Sequence, residues 1–121
     1  MPVQKILMVD DSDTVLTAVS DFLREEGYSV RTANNGDLAL QMLADELPDL
    51  ILMDVVMPGQ NGFQLTRKIS RDPRYAEVPI VMCSSKKLES DRVWALRQGA
   101  RDYLFKPVVP AELLAKIRQF D

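Results

Sequence analysis

The chain has 121 residues, 46% hydrophobic and 27% charged, with a net charge of −3 at neutral pH. Those figures describe one folded domain with a sizeable core, and they exclude a disordered chain and a strongly basic nucleic-acid binder. Histidine is absent and cysteine occurs once, which rules out a Ser-His-Asp triad, a His-ligated zinc site, a phosphohistidine on this chain and an intrachain disulfide.

No apolar run approaches the roughly 20 residues of a membrane span. Met1-Pro2-Val3-Gln4-Lys5 leads almost directly into the first apolar run, leaving no room for a signal peptide, so a reducing, cytoplasmic setting is expected. Any chemistry must come from carboxylates, hydroxyls and lysines.

In chain order, Lys5 to Val9 reads as a first strand. Ser12 or Asp13 caps a helix whose Val15, Leu16, Val19, Phe22 and Leu23 recur at helical spacing as far as Gly27. Tyr28 to Ala33 is a more polar strand, suited to a sheet edge. Asn34-Asn35-Gly36 signals a turn, and Leu38, Leu40, Met42 and Leu43 supply a second helix that Pro48 blocks. Asp49 to Met53 is the most continuously apolar strand and therefore the central one.

Met57 to Gly62 is a loop, and Phe63, Leu65 and Ile69 mark a third helix. Arg71 to Pro79 connects this helix to the strand Ile80 to Cys83. Glu89 to Gln98 forms a fourth helix closed by Gly99, Arg101 to Phe105 a fifth strand, and Pro110 to Phe120 a last helix opened by its proline. Short apolar runs alternating with helical segments are the pattern of a parallel sheet covered on both faces. The expectation is one doubly wound α/β domain over residues 1–121.

In such sheets ligands bind beyond the carboxyl ends of the strands. Four of those ends carry polar groups: Asp10 and Asp11, Asp54, Ser84 and Ser85, and Lys106-Pro107. One polar strand end is ordinary, but carboxylates, a hydroxyl and an ammonium gathered on one edge point to a site. Crowded carboxylates repel, and a hard divalent cation with oxygen ligands relieves them. Two uses of the first cluster compete. Asp11-Ser12-Asp13-Thr14-Val15 is a local match to a D-x-D phosphatase motif with Asp11 as nucleophile and Asp13 as acid/base, whereas Asp10 and Asp11 could instead hold a metal for a nucleophile elsewhere.

Over essentially its whole length the sequence resembles the receiver domains of two-component response regulators. The resemblance rests on Asp10-Asp11-Ser12, on Leu52-Met53-Asp54-Val55-Val56-Met57-Pro58 through Gly62, on Met82-Cys83-Ser84-Ser85, and on Gly99-Ala100-Arg101-Asp102-Tyr103-Leu104-Phe105-Lys106-Pro107. Within that family it is most similar to the stand-alone chemotaxis type, especially the PilH-like group linked to type IV pilus motility, through Asp91-Arg92-Val93-Trp94 and Arg97 to Tyr103. The resemblance implies a flavodoxin-like (βα)5 fold with strand order 2-1-3-4-5, a monomer, and no DNA-binding or enzymatic output.

It further implies that Asp54 accepts a phosphoryl group from a histidine kinase or phosphotransfer domain, CheA-like in type. Mg²⁺ would be held by Asp10, Asp11, Asp54 and the backbone carbonyl of Val56. Lys106, preceding a cis proline, would pair with the bound phosphoryl and Ser84 would hydrogen-bond it, while Tyr103 switches rotamer. A protein target would then read the fourth helix, fifth strand and fifth helix. A haloacid dehalogenase phosphatase would also need an acidic pair on a strand after Lys106, yet only Glu112 and Asp121 follow. A phosphorylation-independent binding module is a third reading, opposed by the intact acceptor set.

Val56 is apolar and cannot orient a hydrolytic water, so with Lys86 flanking the site slow self-dephosphorylation is expected. Trp94 is read as core, with a partner anchor as the alternative. Cys83 is read as a small buried strand residue.

Overall fold

The computed structural model describes residues 2–55, 61–85 and 88–121. The elements in chain order are β1 (Lys5–Val9), α1 (Asp13–Glu25), β2 (Ser29–Ala33), α2 (Gly36–Asp45) and β3 (Leu50–Asp54), then α3 (Gly62–Arg71), β4 (Ile80–Ser84), α4 (Glu89–Arg97), β5 (Asp102–Phe105) and α5 (Pro110–Arg118). The strands form one parallel sheet in the order β2-β1-β3-β4-β5. The polar strand is at an edge and the apolar one at the centre, as their compositions require. Strand order reverses between β1 and β3, which places a crevice beyond Val9 and Asp54.

Period-two alternation sorts the strand side chains onto two faces. Ile6, Met8, Leu50, Leu52, Val81 and Leu104 pack under α1 and α5, together with Leu16, Leu23, Leu113 and Ile117. Leu7, Val9, Ile51, Met53, Ile80 and Met82 pack under α2, α3 and α4, against Ala39, Leu43, Leu65, Ile69 and Ala95. Leu65 and Leu23 have no exposed surface, and truncating either to alanine costs about 2–5 kcal/mol.

Helix ends follow local chemistry. Ser12 Oγ accepts the Val15 amide at 3.3 Å, Asn35 Oδ1 the Leu38 amide at 2.8 Å and Asn61 Oδ1 the Gln64 amide at 2.9 Å, each satisfying a donor the helix leaves open. Gly27 and Gly99 stop α1 and α4 in the left-handed region, at φ 99° and 111°. α4 buries the fewest residues of the five helices. Its N-cap, Leu88, makes no side-chain cap bond, and Ala95 is the helix's one buried residue.

Several boundaries differ from the sequence expectation. β3 and β4 run one residue further, to Asp54 and Ser84, because the ladder continues through the pairs Asp54–Cys83 and Ser84–Phe105. β2, β3 and β5 each begin one residue later than the apolar pattern suggested. α4 ends at Arg97 and α5 at Arg118, with Gln98 and Gln119 as caps. Phe120 lies beyond α5 yet packs on the core, which explains its apolar periodicity. Trp94 is not core: it is 46% exposed, since α4 turns Ala95 inward and leaves the neighbouring residue at the surface.

Candidate functional site

Three strand ends deliver the charged groups. Asp10 follows β1, and its amide still donates to the Ala33 carbonyl at 3.1 Å, so the residue is held at the rim with its side chain buried. Its Oδ1 accepts the Ser12 amide at 2.9 Å and its Oδ2 the Lys106 ammonium at 2.8 Å. Asp54 ends β3, is 6% exposed, and accepts the same ammonium on Oδ1 at 2.9 Å. Lys106 follows β5, with its amide bonded to the Ser84 carbonyl at 2.8 Å. The Lys106–Pro107 peptide is cis, as the resemblance implied.

The alternation that sorts the core also sorts the site. Asp10, Asp54 and Lys106 line a small cavity on the α1/α5 side with Val15, Val19 and Leu113. Ser84 and Tyr103 belong to the opposite face, Tyr103 packing with the α2–α4 core. Both are buried, and a side-chain hydrogen bond joins them. The Tyr103 ring meets Phe105 edge-on at 5.7 Å, and its amide donates to Asp102 Oδ1 at 2.8 Å. The two sets meet only at the rim, where β3 and β4 end side by side.

Burial is the largest influence on the Asp54 carboxyl and holds its pKa above the ordinary 3.8; the Lys106 hydrogen bond pulls it down, and the charges of Asp10 and Asp11 push it up again. Burial works against the Lys106 ammonium, but its hydrogen bonds to Asp10 and Asp54 outweigh that and raise it above 10.5. One ammonium thus faces three carboxylates, and the site keeps an excess of negative charge.

Asp10, Asp11 and Asp54 each offer a carboxylate oxygen, all within 4.8 Å of one another. Asp11 is exposed while the other two are buried, so the cluster opens to solvent on one side. Oxygen-only donors with open positions suit Mg²⁺, which keeps several waters and binds through one or two carboxylates. The Val56 carbonyl expected to join them lies outside the described residues, as does Lys86. The D-x-D reading gains no support from the geometry, because the ammonium it would need reaches Asp10 and Asp54.

One residue that composition did not single out is Gly62. Its amide donates to the Val55 carbonyl at 2.6 Å, and its α-carbon lies so close to the β3 end that an added Cβ would collide with the Asp54 carbonyl oxygen and stand 2.9 Å from Val55 Cα. α3 therefore begins directly against the backbone of Asp54. Its signal was the Asn61-Gly62 pair just before the third helix, read only as the end of the loop from Met57 to Gly62.

The family model for the response regulator receiver domain matches residues 6–118. Protein PilH of Pseudomonas aeruginosa is 44% identical over 113 residues, which cover 93% of this chain and 93% of that protein. Response regulator PleD of Caulobacter vibrioides is 40% identical over 94% of this chain, a stretch equal to 25% of its own length. The chemotaxis protein CheY4 of Vibrio cholerae superposes with a TM-score of 0.92 at 31% identity, over 98% of this chain and 99% of that one. No helix among the described residues is long and apolar enough to cross a membrane. With its fold, its rim of carboxylates and these likenesses, the chain belongs to the response regulator receiver domain family.

Proposed function

We propose that residues 1–121 act as one receiver unit in which Asp54 accepts a phosphoryl group from a phosphohistidine on a partner histidine kinase or phosphotransfer domain. An Asp54 carboxylate oxygen attacks phosphorus in line, the P–N bond breaks, and its electron pair returns to the imidazole of the donor. The product is an acyl phosphate on this chain. The observation that carries the reading is the Lys106 ammonium shared between Asp10 and Asp54, at 2.8 and 2.9 Å, beside Asp11.

Phosphoryl transfer asks for positioning and charge neutralisation more than covalent help. Lys106 is already at bonding distance of Asp54 and can follow the incoming oxygens as a compact point charge. Asp10, Asp11, Asp54 and the Val56 carbonyl would hold Mg²⁺, whose chemistry there would be to neutralise the remaining negative charge of the transferring group. Asp10 is held in orientation by accepting from the Ser12 amide and the Lys106 ammonium. Ser84 sits at the end of the strand paired with β3 and can donate its hydroxyl to the phosphoryl group, which exchanges its link to Tyr103 for a charge-assisted one.

That exchange is the proposed switch: Ser84 is drawn toward Asp54, the space at Tyr103 changes, and the surface formed by α4, β5 and α5 is altered for a downstream protein. Moving such an equilibrium from mostly off to mostly on takes about 5.5 kcal/mol of differential interaction, within reach of a few charge-assisted hydrogen bonds. Its likeness to PilH and CheY4 supports a place in motility or taxis signalling.

The test is intact mass after incubation with acetyl phosphate and Mg²⁺, on wild type, Asp54→Asn and Asp11→Asn. One added phosphoryl group in wild type, lost in Asp54→Asn, is expected. Label that persists in Asp54→Asn and disappears in Asp11→Asn would transfer the nucleophile to Asp11.

A further inference from the structure

Between α3 and α4 lies a groove of about 320 Å³, lined by Asn61, Phe63, Gln64, Arg67, Trp94 and Gln98. It is separate from the surface of α4, β5 and α5. Trp94 and Gln98 stand one turn apart on the flank of α4 that faces α3, whereas Leu96 is about 200° around the helix from Trp94. Phe105 and Val109, exposed at 42% and 46%, belong to the far side.

Three observations give the groove a chemistry. Its wall is aromatic: Phe63 is half-buried and packs on the core, while Trp94 keeps 46% of its surface exposed. Its charge is positive on a chain of net charge −3: Arg67 lines the groove, Arg71 follows one turn further along α3, and α3 has no carboxylate between Gly62 and Arg71. Its guanidinium is preset. The buried Gln98 Oε1 accepts Arg67 Nε at 2.7 Å, and Ser70 Oγ fixes the Gln98 carbonyl at 3.0 Å. Among the described residues the two terminal nitrogens of Arg67 have no hydrogen-bond partner, and neither Arg67 nor Arg71 pairs with a carboxylate. A planar fork held at one nitrogen and open at two is arranged for bidentate contact with a carboxylate.

We propose that this groove docks an acidic amphipathic helical segment of a partner protein, an apolar side chain packing on Trp94 and Phe63 while carboxylates meet Arg67 and, one turn further along α3, Arg71. A trough between two helices is the shape that receives a third helix by its apolar face, and an aromatic beside an arginine is the usual make-up of an anchoring spot. The inference is independent of phosphorylation and stands whether or not Asp54 is the acceptor.

The test uses three labelled synthetic peptides: a Glu/Leu amphipathic helix, the same pattern with lysine for glutamate, and a sequence-scrambled Glu/Leu control. Binding is followed by anisotropy, and by the emission of Trp94, the only tryptophan in the chain. Saturable binding of the Glu/Leu helix is expected, with a shift in Trp94 emission and at least tenfold weakening in Arg67→Glu and in Trp94→Ala. Phe105→Ala should bind as wild type does, and circular dichroism confirms that all variants fold. Equal binding of the lysine peptide or the scrambled control, indifference to Arg67→Glu, or no saturable binding would each overturn the proposal. So would loss in Phe105→Ala, which would move the contact to the other face, or binding to phosphatidylglycerol vesicles in place of the peptide, which would make the basic groove a membrane contact.

Discussion

Replacing Gly62 by alanine tests how tightly the proposed acceptor, Asp54, is positioned. The new Cβ would sit 2.9 Å from both the Asp54 carbonyl carbon and Val55 Cα, with the carbonyl oxygen closer still. Ordinary contact begins at 3.4 Å, so α3 and the end of β3 must separate by half an ångström at least, and by more at the oxygen. All the opposing atoms are backbone, and no flexible side chain can give way. Overpacking of this kind costs about 1–3 kcal/mol of stability.

The effect on chemistry should exceed the effect on folding. Displacement of the Asp54 backbone stretches the 2.9 Å bond to Lys106 and opens the carboxylate cluster, and a misplacement near 1 Å costs about 10²-fold in rate. The assay is the initial rate of labelling by acetyl phosphate against Mg²⁺ concentration, beside a urea unfolding curve. A cooperative fold that labels about 10²-fold more slowly and requires more Mg²⁺ is expected. Wild-type labelling in a folded Gly62→Ala protein would refute the claim that Gly62 sets the position of Asp54.

Other outcomes follow from the same geometry. Because burial raises the Asp54 pKa above 3.8, the folded state holds that proton more tightly than the unfolded chain, so the ionised group detracts from stability once pH rises through the folded value. In EDTA, Asp54→Asn should therefore be more stable than wild type at pH 7, and the gap should close as pH falls toward 3.8; a gap unchanged by acidification would contradict this. Thr66 is fully buried and its hydroxyl oxygen has no hydrogen-bond partner among the described residues, so Thr66→Val should raise stability by about 1 kcal/mol in urea melts. Burial pushes the Cys83 thiol up to about 12, leaving almost no thiolate at pH 8. Its reaction with a disulfide reagent should track unfolding, and fast reaction in native buffer would show that the thiol is accessible.

Much of this was legible in the sequence because each feature rested on local chemistry. Five apolar runs with helical segments between them gave the sheet and its covering helices, and polar residues at the carboxyl ends marked the rim where Asp10, Asp54, Ser84 and Lys106 lie. Asp54 and Ser84 were placed just past their strands because periodicity tracks apolar side chains, whereas the ladder bonds backbones and extends through them. Trp94 was misread because α4 buries so little that its pattern does not separate inner from outer faces. Gly62 and the bond from Arg67 to Gln98 escaped notice for another reason: both depend on how one element packs against another, α3 on the end of β3 and α4 on α3, which side-chain periodicity does not report.

The uneven fastening of α4 has a mechanical consequence. Its C-terminal end is riveted through Ala95 and through Gln98 to α3, while its first turn has neither a capping side chain nor a buried residue. The helix is in effect a cantilever with its free end toward the rim, and bending it there disturbs hydration more than packing. On the proposed switch, a modest push beside Ser84 would move the tip of α4 and leave the hydrophobic core as it was.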